Sequence, residues 1–104
     1  MPEINSQRKR NPALNTENSK DYKFEVYPNP AYDYVIIDYE LKTEDKNSLI
    51  QISDNTGRII KTITLNSAIG QKVFDCKGMT SGLYNFVLKT SRKVLETKRI
   101  SINN

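Results

Sequence analysis

Apolar and polar residues alternate along most of the chain after Tyr22, which is the spacing of β-strands. Successive side chains of a strand point to opposite faces, so residues two apart share a face. Turn residues separate the alternating runs, and about seven strands with no helix are predicted. The residues predicted to face inward are Phe24, Val26, Val35, Ile37, Tyr39, Leu41, Ile50, Ile52, Ile59, Ile63, Leu65, Tyr84, Phe86, Leu88, Ile100 and Ile102.

Asp54-Asn55-Thr56-Gly57 separates two of these runs and carries a strong hairpin signal. Asp and Asn side chains start turns by hydrogen bonding to nearby backbone, and glycine tolerates the positive φ that tight turns need. Ser81-Gly82 and Ser91-Arg92 mark two further turns between runs. The connections are therefore short, as in antiparallel sheets.

The residue types agree with this pattern. The sequence has 11 Ile, 5 Val and 8 Thr, against 3 Ala and 7 Leu. Branching at Cβ suits a pleated surface and crowds a helix. We therefore predict an all-β fold, an antiparallel β-sandwich of about seven strands with an immunoglobulin-like arrangement.

Residues 1–21 differ from the rest of the chain because they contain almost nothing to bury. Asn, Ser, Glu, Lys and Pro dominate there, and Ile4, Ala13 and Leu14 are widely spaced. This is the composition of a linker. We predict a flexible linker or passenger remnant at 1–21 and one folded domain at 22–104, which also explains an overall apolar share of only 37%.

The net charge of +4 is unevenly distributed. Residues 1–20 carry four basic and two acidic side chains, residues 21–88 carry seven and nine, and residues 89–104 carry five and one. A basic end can bind an anionic partner or can simply be a solvated terminal strand. Aromatic residues do not interleave with the basic ones, so nucleic acid is not an expected partner.

The chain has no His, no Trp and a single Cys. Histidine-based catalysis, common zinc sites and an internal disulfide are therefore excluded, and Cys76 is expected to be a small buried residue without an activating base. Asp33, Asp38, Asp45 and Asp54 follow neither a calcium-loop pattern nor the spacing of an acid–base pair. We predict no enzyme activity, no catalytic residues, no metal, no cofactor and no membrane span.

Four segments together carry more information than the alternation. They are Tyr27–Ala31 (YPNPA), Ile50–Asp54 (IQISD) with Gly57, Met79–Tyr84 (MTSGLY) and Lys98–Ile102 (KRISI). In this order and spacing, residues 24–102 resemble the type A C-terminal sorting domain of type IX secretion substrates in Bacteroidetes. The motif residues chosen as candidate recognition sites are Pro28, Asn29, Pro30, Gly57, Gly82, Tyr84, Lys98 and Arg99.

Most of these residues also have a structural explanation. Pro28 and Pro30 cannot donate to a sheet ladder, and Asn29 before a proline is held extended, so this segment must leave the sheet stiffly. Gly82 suits a turn or bulge, and Tyr84 suits the edge of the core with its hydroxyl satisfied at the rim. Lys98 and Arg99 fit two roles equally: recognition, or protection of an edge strand.

The resemblance implies a non-catalytic secretion signal that directs a covalently linked N-terminal passenger across the outer membrane. The expected partners are an outer-membrane shuttle and a sortase-like cysteine peptidase of the type IX machinery. The domain would pass through the periplasm, and it would then be cut within residues 1–22 at the cell surface or outside the cell. Because a passenger and an N-terminal signal are missing, we expect the chain to be the C-terminal piece of a larger protein.

Two hypotheses remain about how the domain binds. In the first, the machinery binds the terminal strand, Val94–Ile102, together with its exposed basic side chains, and addition of a strand to that edge is one mode of binding. In the alternative, the domain is an extracellular adhesion or carbohydrate-binding module, because a sandwich alone does not determine function. Such a module needs an exposed aromatic platform, for which the candidates are Tyr22, Tyr27, Tyr32 and Tyr34.

Overall fold

The computed structural model describes residues 22–42 and 47–104. The linker predicted at 1–21 lies outside the described residues. Alternating residues form seven strands with no helix between them in the described ranges. The strands are β1 (Lys23–Tyr27), β2 (Tyr34–Glu40), β3 (Leu49–Asp54), β4 (Ile59–Thr64), β5 (Ile69–Asp75), β6 (Gly82–Lys89) and β7 (Val94–Ile102).

The strands form two antiparallel sheets, one ordered β1-β2-β5 and the other β4-β3-β6-β7. This arrangement confirms the predicted all-β sandwich and is consistent with an immunoglobulin-like fold. Strands β1 and β7 are edge strands that adjoin on one side of the sandwich, and β4 and β5 are edge strands of the two sheets on the other side. We call these the closed side and the open side, respectively.

The core lies between the inner faces of the two sheets, where the period-two pattern placed it. Side chains from every second position of β2, β3 and β6 are almost fully buried, as an inner sheet face requires. Tyr84 packs at the edge of this core. The most deeply buried of the predicted inward residues are Val35, Ile37, Ile50, Ile52, Leu65, Phe86, Leu88 and Ile102.

One inward prediction is wrong: Ile59 is exposed at the start of β4, with 55% of its surface accessible. The register between β3 and β4 shifts at Ile52/Ser53, so that Ser53 pairs with Ile59 while Ile52 pairs with Lys61. An inserted residue of this kind moves the side chains on one side of it to the opposite face. Lys61, on the same side of the shift as Ile63, keeps the inward-facing position opposite Ile52, at the exposed edge of the sheet.

A membrane-spanning helix is not found among the described residues, where no helix has the required length and apolar character.

Candidate functional site

The free edge of β7 is covered at its C-terminal end by the Pro-Asn-Pro segment, although the two are separated by about 70 residues. The Asn29 side-chain oxygen accepts the Ser101 N–H at 3.0 Å, and the Asn29 amide nitrogen lies 3.5 Å from the Arg99 carbonyl oxygen. Ala31 then pairs parallel to β7: its N–H donates to the Ser101 carbonyl at 2.8 Å, and its carbonyl accepts the Asn103 N–H at 2.8 Å. We call this set of contacts the clasp.

The prolines direct the chain to this position. The peptide bonds Tyr27–Pro28 and Asn29–Pro30 are both cis. Since neither proline has an N–H to donate, β1 cannot continue and the chain crosses to the other sheet. Ala31 is fully buried there. A larger side chain at this position would hold the two backbones apart.

A second contact closes the other end of the same edge. The Tyr22 hydroxyl donates to the Leu95 carbonyl at 3.0 Å. Burial is the main cause that raises the pKa of Tyr22. A hydrogen bond with the Glu96 carboxylate and the negative charge of that carboxylate raise it further. Tyr22 therefore joins the start of β1 to the start of β7, and the two contacts make this the closed side.

A short part of the β7 edge lies between these two contacts. Residues that alternate along a strand direct their N–H and C=O groups to the same edge, so Thr97 and Arg99 point the way that Leu95 and Ser101 do. Within residues 22–42 and 47–104, no backbone hydrogen bond reaches the outward N–H and C=O of Thr97. The accessible part of the β7 edge is therefore short and is centred on the outward N–H and C=O groups of Thr97.

The predicted basic pair is divided between the two faces of β7. Lys98 pairs with buried Phe86, which places it on the inner face, where its ammonium group lies 3.0 Å from the Glu96 carboxylate. Arg99 pairs with Asn85 on the outer face and is exposed, with its Nε 3.5 Å from the Asn85 side-chain oxygen. The two side chains do not form one basic surface.

Tyr84 lies where the sequence placed it, with its ring in the core and its hydroxyl donating to the Thr80 carbonyl at 2.5 Å. A tyrosine that bonds the backbone four residues upstream fixes the turn before its strand, as in immunoglobulin-like domains. Gly82 is the first residue of β6 and pairs with Ile102. Gly82 is exposed and Tyr84 is buried, and both motif residues position β6 against β7.

The last residue also holds the turn before β6. The Asn104 amide donates to the carbonyls of Cys76 at 2.7 Å and Met79 at 2.8 Å. The Asn104 N–H donates to the Ser81 hydroxyl oxygen at 2.8 Å, and that hydroxyl lies 2.9 Å from the Asn104 carbonyl. The segment after β7 thus joins the Cys76–Ser81 turn.

Gly57 belongs to the β3–β4 turn, away from the clasp. Its φ of 92° is in the left-handed region that favours glycine. One Asp54 carboxylate oxygen accepts the backbone N–H of Thr56 and of Arg58 at 3.0 Å each, and the Thr56 hydroxyl at 2.6 Å. Hydrogen bonds from Thr56, then from the Arg58 backbone, lower the pKa of Asp54. The predicted hairpin is present, with Asp54 as its cap.

Two of the four tyrosines proposed as a carbohydrate platform share a face: Tyr27 and Tyr34 lie on the outer face of the three-stranded sheet. Tyr32 is exposed in the segment before β2, and Tyr22 faces β7. The Tyr27 hydroxyl donates to Asp38 at 2.6 Å, and the other Asp38 oxygen accepts the Gln71 amide at 2.7 Å. These two bonds lower the pKa of Asp38, and they join all three strands of that sheet.

Cys76 is buried, and its thiol lies 3.5 Å from the Tyr32 carbonyl. Burial raises the pKa of the thiol, and the charges of Asp75 and Asp33 add to this effect. A thiol of this kind is a poor nucleophile. Across the described ranges, no three His, Cys, Asp or Glu side chains are placed to hold a metal ion.

The structure thus brings Asn29 and Arg99 together and leaves Gly57 apart. Sequence reasoning missed Ala31, Ser101, Asn103 and Asn104 as parts of the same arrangement. Ala31 ends the Tyr27–Ala31 segment, and its small side chain directly after Pro30 is the sequence signal for a close backbone approach.

Comparisons with known proteins agree with this fold. A family profile described as "Secretion system C-terminal sorting domain" matches residues 25–103. A solved structure of PorZ, an essential surface component of the type-IX secretion system of Porphyromonas gingivalis, is similar with a TM-score of 0.59 and 24% identity. The alignment covers 78% of this chain and only 11% of that one, so it supports the fold alone.

A search of curated protein sequences finds no match. The family match extends over most of the chain, from β1 to the residue after β7, and it includes both partners of the clasp. The resemblance drawn from the four motif segments is therefore confirmed, and the chain belongs to the family of type IX secretion system C-terminal sorting domains.

Proposed function

We propose that this domain directs an N-terminal passenger across the outer membrane through the type IX machinery and is then cleaved from it. The observation that supports the proposal best is the clasp. Two of the four motif segments, far apart in sequence, meet there on the terminal strand and leave only a short accessible edge. The motif therefore specifies one exposed feature of the domain in addition to its core.

The accessible edge at Thr97 and the Arg99 side chain form the proposed recognition surface. An extended segment of the receptor can pair with the Thr97 backbone, and the exposed Arg99 guanidinium next to it can bind a carboxylate on that segment. Lys98 has a different role in this proposal. It points inward and pairs with Glu96 of the same strand, so it lies outside the proposed recognition surface.

The test is export of a reporter fused ahead of the chain in a bacterium with type IX secretion. Arg99→Gln should lower export at least about tenfold without a change in thermal stability, because the side chain is exposed. Arg92→Gln, an exposed arginine in the β6–β7 turn, is the matched control and should export normally. Lys98→Gln should export normally, because Lys98 pairs within β7 and lies outside the proposed surface.

Normal export of the Arg99→Gln fusion would overturn the recognition role. Failure of the unmodified fusion to reach the cell surface would overturn the proposed function itself. A glycan array with the isolated domain addresses the alternative adhesion role, and saturable binding to a glycan alongside failed export would favour that alternative.

The proposed partners are an outer-membrane shuttle that reads the folded domain and a sortase-like cysteine peptidase that cuts it off. The proposed route leads through the periplasm to the cell surface or the medium, and the proposed cut lies within residues 1–22. Mass spectrometry of the exported reporter gives the new C-terminus. A reporter that keeps β1 would contradict cleavage within residues 1–22.

A further inference from the structure

The open side of the sandwich contains a groove of about 400 Å³ between β4 and β5. It is lined by Lys61 and Ile63 of β4 and by residues 72–75 of β5. Each of these strands pairs with a neighbour on one edge only in the part of the chain that the structure describes. Two strand edges therefore border one groove.

The floor of the groove is apolar. Ile63 pairs with buried Ile50 and Phe74 pairs with buried Val35, so both side chains point inward, yet each remains partly accessible. The Phe74 ring meets Phe86 edge-on, with centroids 5.9 Å apart and planes at 80°. Such a pair fixes the ring, so the floor is preformed.

Two lysines point inward at the rim of the groove. Lys61 shares a face with buried Ile52, and Lys72 shares a face with buried Ile37. The acidic lining residue, Asp75, is largely exposed and lies 3.8 Å from the Lys77 ammonium group. A second copy of the chain would bring four such lysines together, so like charges disfavour self-association here.

Exposed apolar side chains flank the same edge on the outer face. Ile69 and Val73 of β5 have 66% and 65% of their surfaces accessible, respectively. They alternate with Gly70, Lys72 and Phe74 of the inner face. A strand added along β5 would thus meet apolar neighbours on its outer face. On its inner face it would meet the Lys72 cation, with Gly70 on one side and the Phe74 ring on the other.

We propose that the open side binds an extended segment of a partner protein that adds to the edge of β5. The segment carries one acidic side chain between two apolar ones on its inward face. The acidic side chain of the segment pairs with Lys72 on β5, and Lys61 lies across the groove on β4. An apolar side chain of the segment covers Phe74 and Ile63. This second binding surface is independent of the β7 edge and goes beyond the role of a secretion signal.

The test is an NMR titration of the ¹⁵N-labelled full chain with the peptide acetyl-Thr-Val-Thr-Glu-Thr-Val-Thr-amide. Saturable shifts should be confined to amides of β4 and β5. The same peptide with Lys in place of Glu should bind at least about fivefold more weakly. Lys72→Glu should reverse this preference, and Lys93→Glu in the exposed β6–β7 turn should leave it unchanged.

Three results would overturn the proposal. They are shifts that map to β7, equal binding of the two peptides, and a Lys72→Glu chain that keeps the original preference. Vesicles of phosphatidylglycerol provide a further arm. Lysine-dependent flotation with these vesicles, without peptide binding, would assign the open side to a lipid surface and would also overturn the proposal. None of these outcomes depends on export of a passenger.

Discussion

The two sides of the sandwich protect their strand edges in different ways. On the closed side, hydrogen bonds from Tyr22, Asn29 and Ala31 cover most of the edge of β7. On the open side, the edges of β4 and β5 carry inward lysines above a partly accessible apolar floor. A free strand edge is a site of unwanted pairing, and both coverage and inward charge suppress that pairing.

The difference shows which side can change partners. When the chain covers its own strand edge, little of that edge remains for another protein to pair with. Inward charge leaves most of the β5 edge accessible, although the Ile69 carbonyl accepts the Ser67 hydroxyl, and it excludes segments that bring no opposite charge. The closed side therefore favours one defined contact, whereas the open side selects a partner by charge. Lys98, an inward lysine on β7 paired with Glu96, belongs to the second type although it lies on the closed side.

The largest expected effect comes from removing one isoleucine on each side. Ile102 on β7 is fully buried, whereas Ile63 in the floor of the groove is only partly buried. We expect Ile102→Ala to lower the free energy of unfolding by about 3 kcal/mol, and Ile63→Ala by about 1 kcal/mol, because a deeper cavity is left at the buried site. Urea denaturation measures both. Equal losses would mean that the two sides are packed to the same degree.

A smaller effect is expected from breaking the clasp. Asn29→Ala removes the acceptor of the Ser101 N–H, and we expect a loss of about 1–2 kcal/mol in the free energy of unfolding. Asn66→Ala, at an exposed position between β4 and β5, is the matched control and should change it by less than about 0.5 kcal/mol. If both variants unfold at the same urea concentration, the clasp does not stabilise the closed side.

The smallest effect is a pH dependence of the closed side. Because the pKa of Tyr22 is raised in the folded chain, its contribution to stability is fully present below pH 10 and is lost as the pH rises through the folded pKa. Tyr22→Phe should therefore show a shallower loss of stability above about pH 10. The measurement is thermal unfolding between pH 8 and 11.

Exposed Tyr32→Phe serves as the control and should follow the unmodified chain. If Tyr22→Phe also follows it, the Tyr22 contact does not contribute to the closed side.

Most of the core was predictable because it depends on local alternation. Val35, Ile37 and Ile52 face inward as expected, since each lies in an uninterrupted period-two run. Ile59 does not, because a register shift at Ile52/Ser53 is a property of two paired strands and leaves no mark in one of them. The Asp54–Gly57 turn was equally local, and its side-chain to backbone bonds are those that the residues predicted.

The candidate site was predictable only in part. The motif segments identified the family. Neighbours in a strand point to opposite faces, so the alternation contained the signal that separates Lys98 from Arg99, although the two were predicted as one basic pair. It did not indicate that Asn29 lies against Ser101, because that contact joins residues 72 apart through one hydrogen bond. Nor did it indicate which strand edges remain accessible.

The sequence by itself therefore determined the fold class, the inward face of most strands, the hairpin turn and the family. These depend on the period of side chains along a strand and on residues that act within a few positions. The tertiary structure alone decided that the Pro-Asn-Pro segment closes the edge of β7 and that β4 and β5 border an open groove. Those features depend on which edges meet when two sheets pack, and that is set by the whole core.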